Sequence, residues 1–161
     1  LYTSPLRPSG YIIGYTLPLI PMAVLQTLVT SLSALIFGLE FSANILLASV
    51  VSIVPGFLYI SIGLLCGTAF SDKMVGVLCG AVLTNLSAWL SNIWFDISLV
   101  GGAFEKIAGF LPFIHCVNAL RAVFESDYSQ IIPELLWVAG YAVVIFACAV
   151  LLFNRRMKQD K

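Results

Sequence analysis

The side chains of this chain that could do acid–base or ligand chemistry gather in one stretch, from Asp96 to Glu134. Within it His115, Asn118 and Arg121 follow one another at intervals of three, so a helix would carry them on one face. With Glu105 upstream, they form a candidate outer gate: Glu105, His115, Asn118 and Arg121. Such a face could line a pathway or touch a polar head group. The same residues could equally cap, snorkel or pair at a membrane interface. Arg121 has Glu125 four residues on, a spacing for a weak helical ion pair. His115 is the single histidine, and Cys66, Cys79, Cys116 and Cys148 form no C-x-x-C, so neither a metal cluster nor a catalytic pair is expected. The cysteines read as apolar packing residues, with Cys116 the one placed for a redox or modification role. No G-x-x-x-x-G-K-[ST] phosphate loop occurs, so ATP hydrolysis by that route is excluded.

The elements that must position these groups are membrane helices. Pro8 to Leu39, Phe41 to Ser71, Met74 to Phe95 and Leu135 to Asn154 carry no charge. Crossing a hydrocarbon layer of ~30 Å takes about 20 apolar residues as a helix, and each stretch meets that length. Composition agrees: 60% hydrophobic, 10% charged and mean hydropathy +1.02, against roughly 25% charged in a soluble domain. The net charge is zero, which removes any basic surface for nucleic acid. The expectation is an all-α polytopic membrane domain over 1–161. It has spans at 11–39, 44–70, 74–94 and 133–154, a short amphipathic or re-entrant helical hairpin at 96–132 and a tail at 155–161. The chain begins at Leu1 rather than Met, and no signal peptide is visible, so a fragment or processed chain is expected.

Topology follows from the basic residues. Arg155, Arg156, Lys158 and Lys161 follow the last span, Lys73 lies in the turn after the second, and Arg7 precedes the first. The positive-inside rule places all of these in the cytoplasm, so both ends are cytoplasmic and the hairpin lies outside. Pro18 and Pro21 in the first span and Pro55 in the second are expected to kink their helices and serve as hinges. Pro133 suits the first turn of the last helix. Gly10 and Gly14, Gly63 and Gly67, and Gly76 and Gly80 form G-x-x-x-G pairs, which let helices approach closely in lipid, within the chain or across a dimer contact. In the hairpin, Phe104, Ile107, Ala108 and Leu111 would form one apolar face and Phe113, Val117, Leu120 and Phe124 a second, joined at Pro112. Gly101 and Gly102 would allow the sharp turn into it.

The order of these features resembles a known family. A cytoplasmic segment Ser4-Pro5-Leu6-Arg7-Pro8-Ser9-Gly10 leads into three spans. Leu90-Ser91-Asn92-Ile93-Trp94-Phe95, a hairpin with Leu111-Pro112-Phe113 and Ala119-Leu120-Arg121-Ala122, a final span and a basic tail follow. This is similar to the C-terminal part of a type 2 ABC transporter permease, the membrane subunit of an ATP-driven exporter. Asn92 departs from the pattern, since many relatives carry glycine there. The resemblance implies a partner ABC ATPase subunit carrying ATP and Mg, with no cofactor on this chain. It implies a second permease half, as homo- or heterodimer, in a plasma membrane. It also makes 1–10 a coupling segment, with Thr3, Ser4, Pro5, Leu6 and Arg7 contacting the ATPase, and the hairpin a closure on the exit side. An amphipathic cargo would move outward by alternating access.

Rival classes remain open on the residues alone. An ion-coupled carrier would place acids in mid-membrane. Ser31, Ser33, Ser52, Ser61, Thr84 and Asn85 are the polar residues that could serve it, unless they bond their own helices. A membrane-embedded enzyme would need a catalytic pair. A non-transporting assembly scaffold would need neither.

Overall fold

The structure is a computed structural model that describes residues 10, 13–14, 16–39 and 41–159, with 157–159 described as backbone only. It is all-helical among those residues, with four helices or helix pairs long and apolar enough to cross a membrane. The first is α1, Leu19–Ile36. The second is made of α2, Ala43–Val51, and α3, Ile53–Ala69. The third runs from Asp72 to Leu90 as α4, Asp72–Val77, a π-helical segment, Leu78–Leu83, and α5, Thr84–Leu90. A short helix α6, Ile97–Val100, precedes the hairpin helices α7, Gly102–Phe110, and α8, Pro112–Phe124, which meet at 74°. The last helix, α9, is Tyr128–Gln159.

The prolines act where their missing N–H costs least. Pro18 stands in the turn just before α1, and Pro21 falls within the first turn of that helix, where backbone donors have no partner anyway. The interruption therefore lies at Leu17–Pro18, at the head of the helix rather than inside it. Pro55 cannot donate to the Val51 carbonyl four residues back and crowds it. The second span breaks there, at Ser52, whose hydroxyl donates to the Ser49 carbonyl at 2.8 Å. Pro133 lies inside α9, which begins five residues earlier, at Tyr128.

The second and last spans run parallel. The Tyr128 hydroxyl donates to Asn44 Oδ1 at 3.2 Å at one end, and Arg156 donates to the Ala69 carbonyl at 2.8 Å at the other. Between these ends Leu58, Cys116, Val138 and Ala142 form a buried cluster that also takes in the hairpin. A second cluster joins Val51, Ala119, Ala122, Val123 and Ile131, and a third joins Leu90, Ile97, Ala108 and Phe113. All three lie among the second span, the end of the third span, α6, the hairpin and the last span, and α1 contributes no buried residue.

The faces of the hairpin that are buried in the protein coincide only in part with the apolar faces that the spacing marks. The buried face of α8 is Pro112, Phe113, Cys116, Ala119, Ala122 and Val123, and Phe124 is exposed. In α7 Ala108 is buried completely, whereas Ile107 is 53% exposed. In lipid the tails outside are as apolar as leucine, so small residues go to the helix contacts and large ones need not. The glycine pairs behave differently again. A Cβ added at Gly63, Gly67, Gly76 or Gly80 would meet nothing within 4 Å, so these faces are open and do not pack inside the described chain. That overturns the intramolecular option for them.

Candidate functional site

The hairpin turns on special backbone. Gly101 and Gly102 both take positive φ, 60° and 62°, which an L side chain would strain. Asn92 also has φ of 60°. Asparagine is the side chain that best tolerates that region, so it stands in for glycine without changing the turn. Its Oδ1 accepts from the Ile97 amide at 2.9 Å, and its carbonyl accepts from Arg121 at 2.6 Å. The carboxylate of Asp96 caps α6 by accepting from the Ser98 amide at 3.0 Å. Hydrogen bonds from Ser98, with the Arg121 charge nearby, hold the Asp96 carboxyl below its ordinary value.

At the joint between α7 and α8 a polar cluster closes around the last turn of α7. Helix ends leave carbonyls without intrahelical donors, and side chains serve two of them here. His115 Nε2 lies 2.9 Å from the Gly109 carbonyl oxygen. The Phe110 carbonyl accepts from Trp137 Nε1 at 3.1 Å and from the Tyr141 hydroxyl at 2.9 Å. The Nδ1 of His115 meets Glu134 Oε2 in an ion-pair contact, and Asn118 Nδ2 donates to Glu134 Oε1 at 3.4 Å. The Trp137 ring stands beside His115, with centroids 5.4 Å apart, and edge-on to Phe110. The first hairpin helix, the second hairpin helix and the last span are thus tied at one point.

Of the four residues expected at an outer gate, the structure brings His115 and Asn118 together on Glu134. Arg121 serves a different place: it ties the hairpin to the turn after the third span through Asn92, not to Glu125. Glu105 is exposed and apart, with no side-chain hydrogen bond among the described residues. Glu134, Trp137 and Tyr141 were not among the expected site residues. Their spacing of three and then four puts them on one face of a helix, and that was the signal to find them. Thr3, Ser4, Pro5, Leu6 and Arg7 lie outside the described residues.

A cavity of about 420 Å³ lies between the first span, the second span and the hairpin. Its walls include Thr27, Thr30 and Ser31, facing Ser49 and Ser52, with Phe124 of the hairpin. Their hydroxyls are already used. Thr27 donates to the Ala23 carbonyl, Thr30 to Gln26, Ser49 to Ile45 and Ser52 to Ser49, while Ser31 pairs with Ser49 across the two spans at 3.2 Å. Ser33, Ser61, Thr84 and Asn85 likewise bond carbonyls of their own helices. What remains is an uncharged, mostly apolar surface. No group of three or more metal-ligating side chains occurs among the described residues, and Cys116 is packed between Leu58, Val138 and Ala142.

Four candidate spans with a bent helix pair beside them describe a multi-pass membrane protein. Comparison with known proteins agrees. No curated protein and no solved structure matches the chain. The family model for the ABC-2 family transporter protein matches residues 1–151. The chain therefore belongs to the ABC-2 transporter family, as a multi-pass membrane permease.

Proposed function

We propose that this permease works as one half of an ATP-driven exporter, moving an amphipathic substrate outward across a plasma membrane. The observation that carries this reading is the bent pair α7–α8, tied to the last span at Glu134 and to the end of the third span at Asn92, in a chain of this family. An element fixed between two spans can close one side of a pathway and still follow both. The Arg156–Ala69 contact sets Arg156 at the end of the second span, four residues before Lys73 in the first turn of α4, at the opposite ends of these spans from the hairpin. By the positive-inside rule that end is cytoplasmic and the hairpin is extracytoplasmic.

In this reading Thr3 to Arg7 dock on a partner ATPase subunit that carries ATP and Mg. A second permease half completes the pathway. Closure of the ATPase pair pulls on the first two spans, which bend at Pro18 and Pro55, with Pro21 stiffening the first turn. The cavity has no charged lining residue and suits an amphipathic cargo, and it presents no acid of the kind an ion-coupled carrier would place in mid-membrane, which favours the exporter.

The test is purification of the whole protein from its native membrane in mild detergent, with mass spectrometry of what accompanies it. A stoichiometric ABC ATPase subunit, or a Walker-type domain on the same polypeptide, is the expected result. Recovery of neither under gentle extraction would sink the exporter reading. Replacing Leu6 and Arg7 together with alanine should then abolish cargo-stimulated ATPase activity and leave the spans folded. Unchanged stimulation would remove the coupling assignment.

A further inference from the structure

His115 faces an acceptor on both of its ring nitrogens. A carbonyl oxygen can only accept, so the Nε2 beside Gly109 carries a hydrogen whenever that contact is a hydrogen bond. A neutral imidazole has a single N–H, which leaves a lone pair on Nδ1. Ionised Glu134 also presents lone pairs, and its Oε1 is occupied by the Asn118 amide. With neutral histidine and ionised glutamate, two lone pairs would point at each other across the Nδ1–Oε2 contact. Both contacts are made together only when one further proton lies between Nδ1 and Oε2, on the imidazole or on the carboxyl.

We infer that His115 and Glu134 form a proton-binding site whose bound proton fastens the hairpin to the last span. The site joins three elements: the end of α7 through Gly109, α8 through His115 and Asn118, and α9 through Glu134. Both side chains are 19% exposed, covered enough that water replaces the bond poorly and open enough to exchange a proton.

The neighbours do not supply that proton or a competing charge. From α9, Tyr141 and Trp137 donate to the Phe110 carbonyl, and Tyr128 to Asn44. On α8, Cys116 turns toward Leu58 and Val138, and Arg121 is held by Asn92. From α3, Tyr59 meets the Phe113 ring. On α7, Glu105 and Lys106 are exposed with no side-chain hydrogen bond among the described residues. Beyond α8, Glu125 and Asp127 are exposed, and Asp127 accepts from Ser129.

The sign follows from the donors. While the pair keeps its proton, the hairpin is fastened. When rising pH removes it, the ring can no longer serve both acceptors; with its one hydrogen kept on Nε2 for Gly109, the Nδ1–Glu134 contact becomes repulsive and α8 can part from α9. Falling pH does not open it, because an imidazolium still donates to a protonated carboxyl. Glu134→Gln should break this dependence: a glutamine amide can donate to the Nδ1 lone pair while its oxygen keeps Asn118, with no proton needed. Glu134→Ala should leave the hairpin loose at every pH.

The experiment uses the whole protein, labelled with ¹⁵N-histidine, in lipid nanodiscs. The ring-nitrogen signals that vanish in His115→Gln are those of His115. They are followed across pH together with hydrogen-exchange protection of 105–118, normalised to unfolded-chain rates. The expected result is Nε2 protonated throughout and a second proton that titrates. Protection falls with it by about tenfold or more, the scale of one charge-assisted hydrogen bond. Glu134→Gln folds and keeps its protection across the same range. An unprotonated Nε2, protection that ignores the titration, or a Glu134→Gln protein that still loses protection with pH would each overturn the proton site.

Discussion

The first and last spans are both long uncharged helices, yet they are held in opposite ways. The last span buries Ile131, Val138, Ala142 and Ala149 and carries polar ties to the hairpin and to the second span. The first buries nothing, and among the described residues a serine pair, Ser31 with Ser49, ties it to the second span. The difference shows what apolarity means in lipid. Exposure of Leu28, Ile36 or Phe37 costs nothing against hydrocarbon, so span formation and span packing are separate matters. The last, second and hairpin helices make a self-contained unit. The first span and the glycine faces present surface that lipid or another part of the transporter can cover.

The largest test of that contrast pairs Leu58→Ala with Leu28→Ala. Leu58 is fully buried, so its truncation should cost ~2–5 kcal/mol by loss of packing and an unfilled cavity. Leu28 is 53% exposed, and its truncation should stay within ~0.5 kcal/mol. Thermal unfolding in one detergent measures both. Equal losses would mean that the first span is packed as firmly as the last.

Glu134→Ala is next. It removes the acceptor shared by His115 and Asn118 at a half-buried site, and should cost about 1–3 kcal/mol in the same assay. Glu105→Ala, on the exposed side of the same hairpin, should be near neutral. If Glu105→Ala were the costlier change, the charged residues of the hairpin would have been assigned to the wrong faces.

A smaller effect is expected at the other tie. Arg121→Ala frees the Asn92 carbonyl and should cost about 1 kcal/mol, with Arg121→Lys recovering part of it. Asn92→Gly should keep the left-handed turn, at the expense of the Oδ1 bond to Ile97. Asp96, held ionised by Ser98, adds its capping contribution above the ordinary carboxylate range. That contribution is lost as pH falls through the depressed value, so Asp96→Asn should flatten the acid side of the stability profile. A steeper acid limb in Asp96→Asn would contradict the capping role.

Much of the fold was legible because its signals are local. Span lengths, the Pro112 joint and the Gly101–Gly102 turn each depend on a few neighbouring residues. Which face of α8 goes inward was not legible. Periodicity marks an apolar face but not whether lipid or protein covers it, so the spacing places Phe124 on the apolar face, whereas Ala119 and Ala122 make the contact. His115 and Asn118 were found as candidates by their spacing. Their partner was missed because Glu134, near the start of an apolar span, looks in sequence like one more outer acid. Only the packing of α8 on α9 makes it the centre of the site.

The glycine pairs sharpen the comparison furthest with the smallest effect. Gly63, Gly67, Gly76 and Gly80 have open space where a side chain would go. Glycine inside a helix is worse than alanine by roughly 0.5–1 kcal/mol. Each single Gly→Ala change should therefore leave the stability of this chain unchanged or slightly raised. A loss of more than about 1 kcal/mol would mean that these faces pack within the chain after all. Stability kept but transport lost, in Gly76→Ala and Gly80→Ala for example, would place a close helix contact on that face in the assembled transporter. The third span would then join the first as surface built for a neighbour, and the second, last and hairpin helices would remain the one unit that holds itself together.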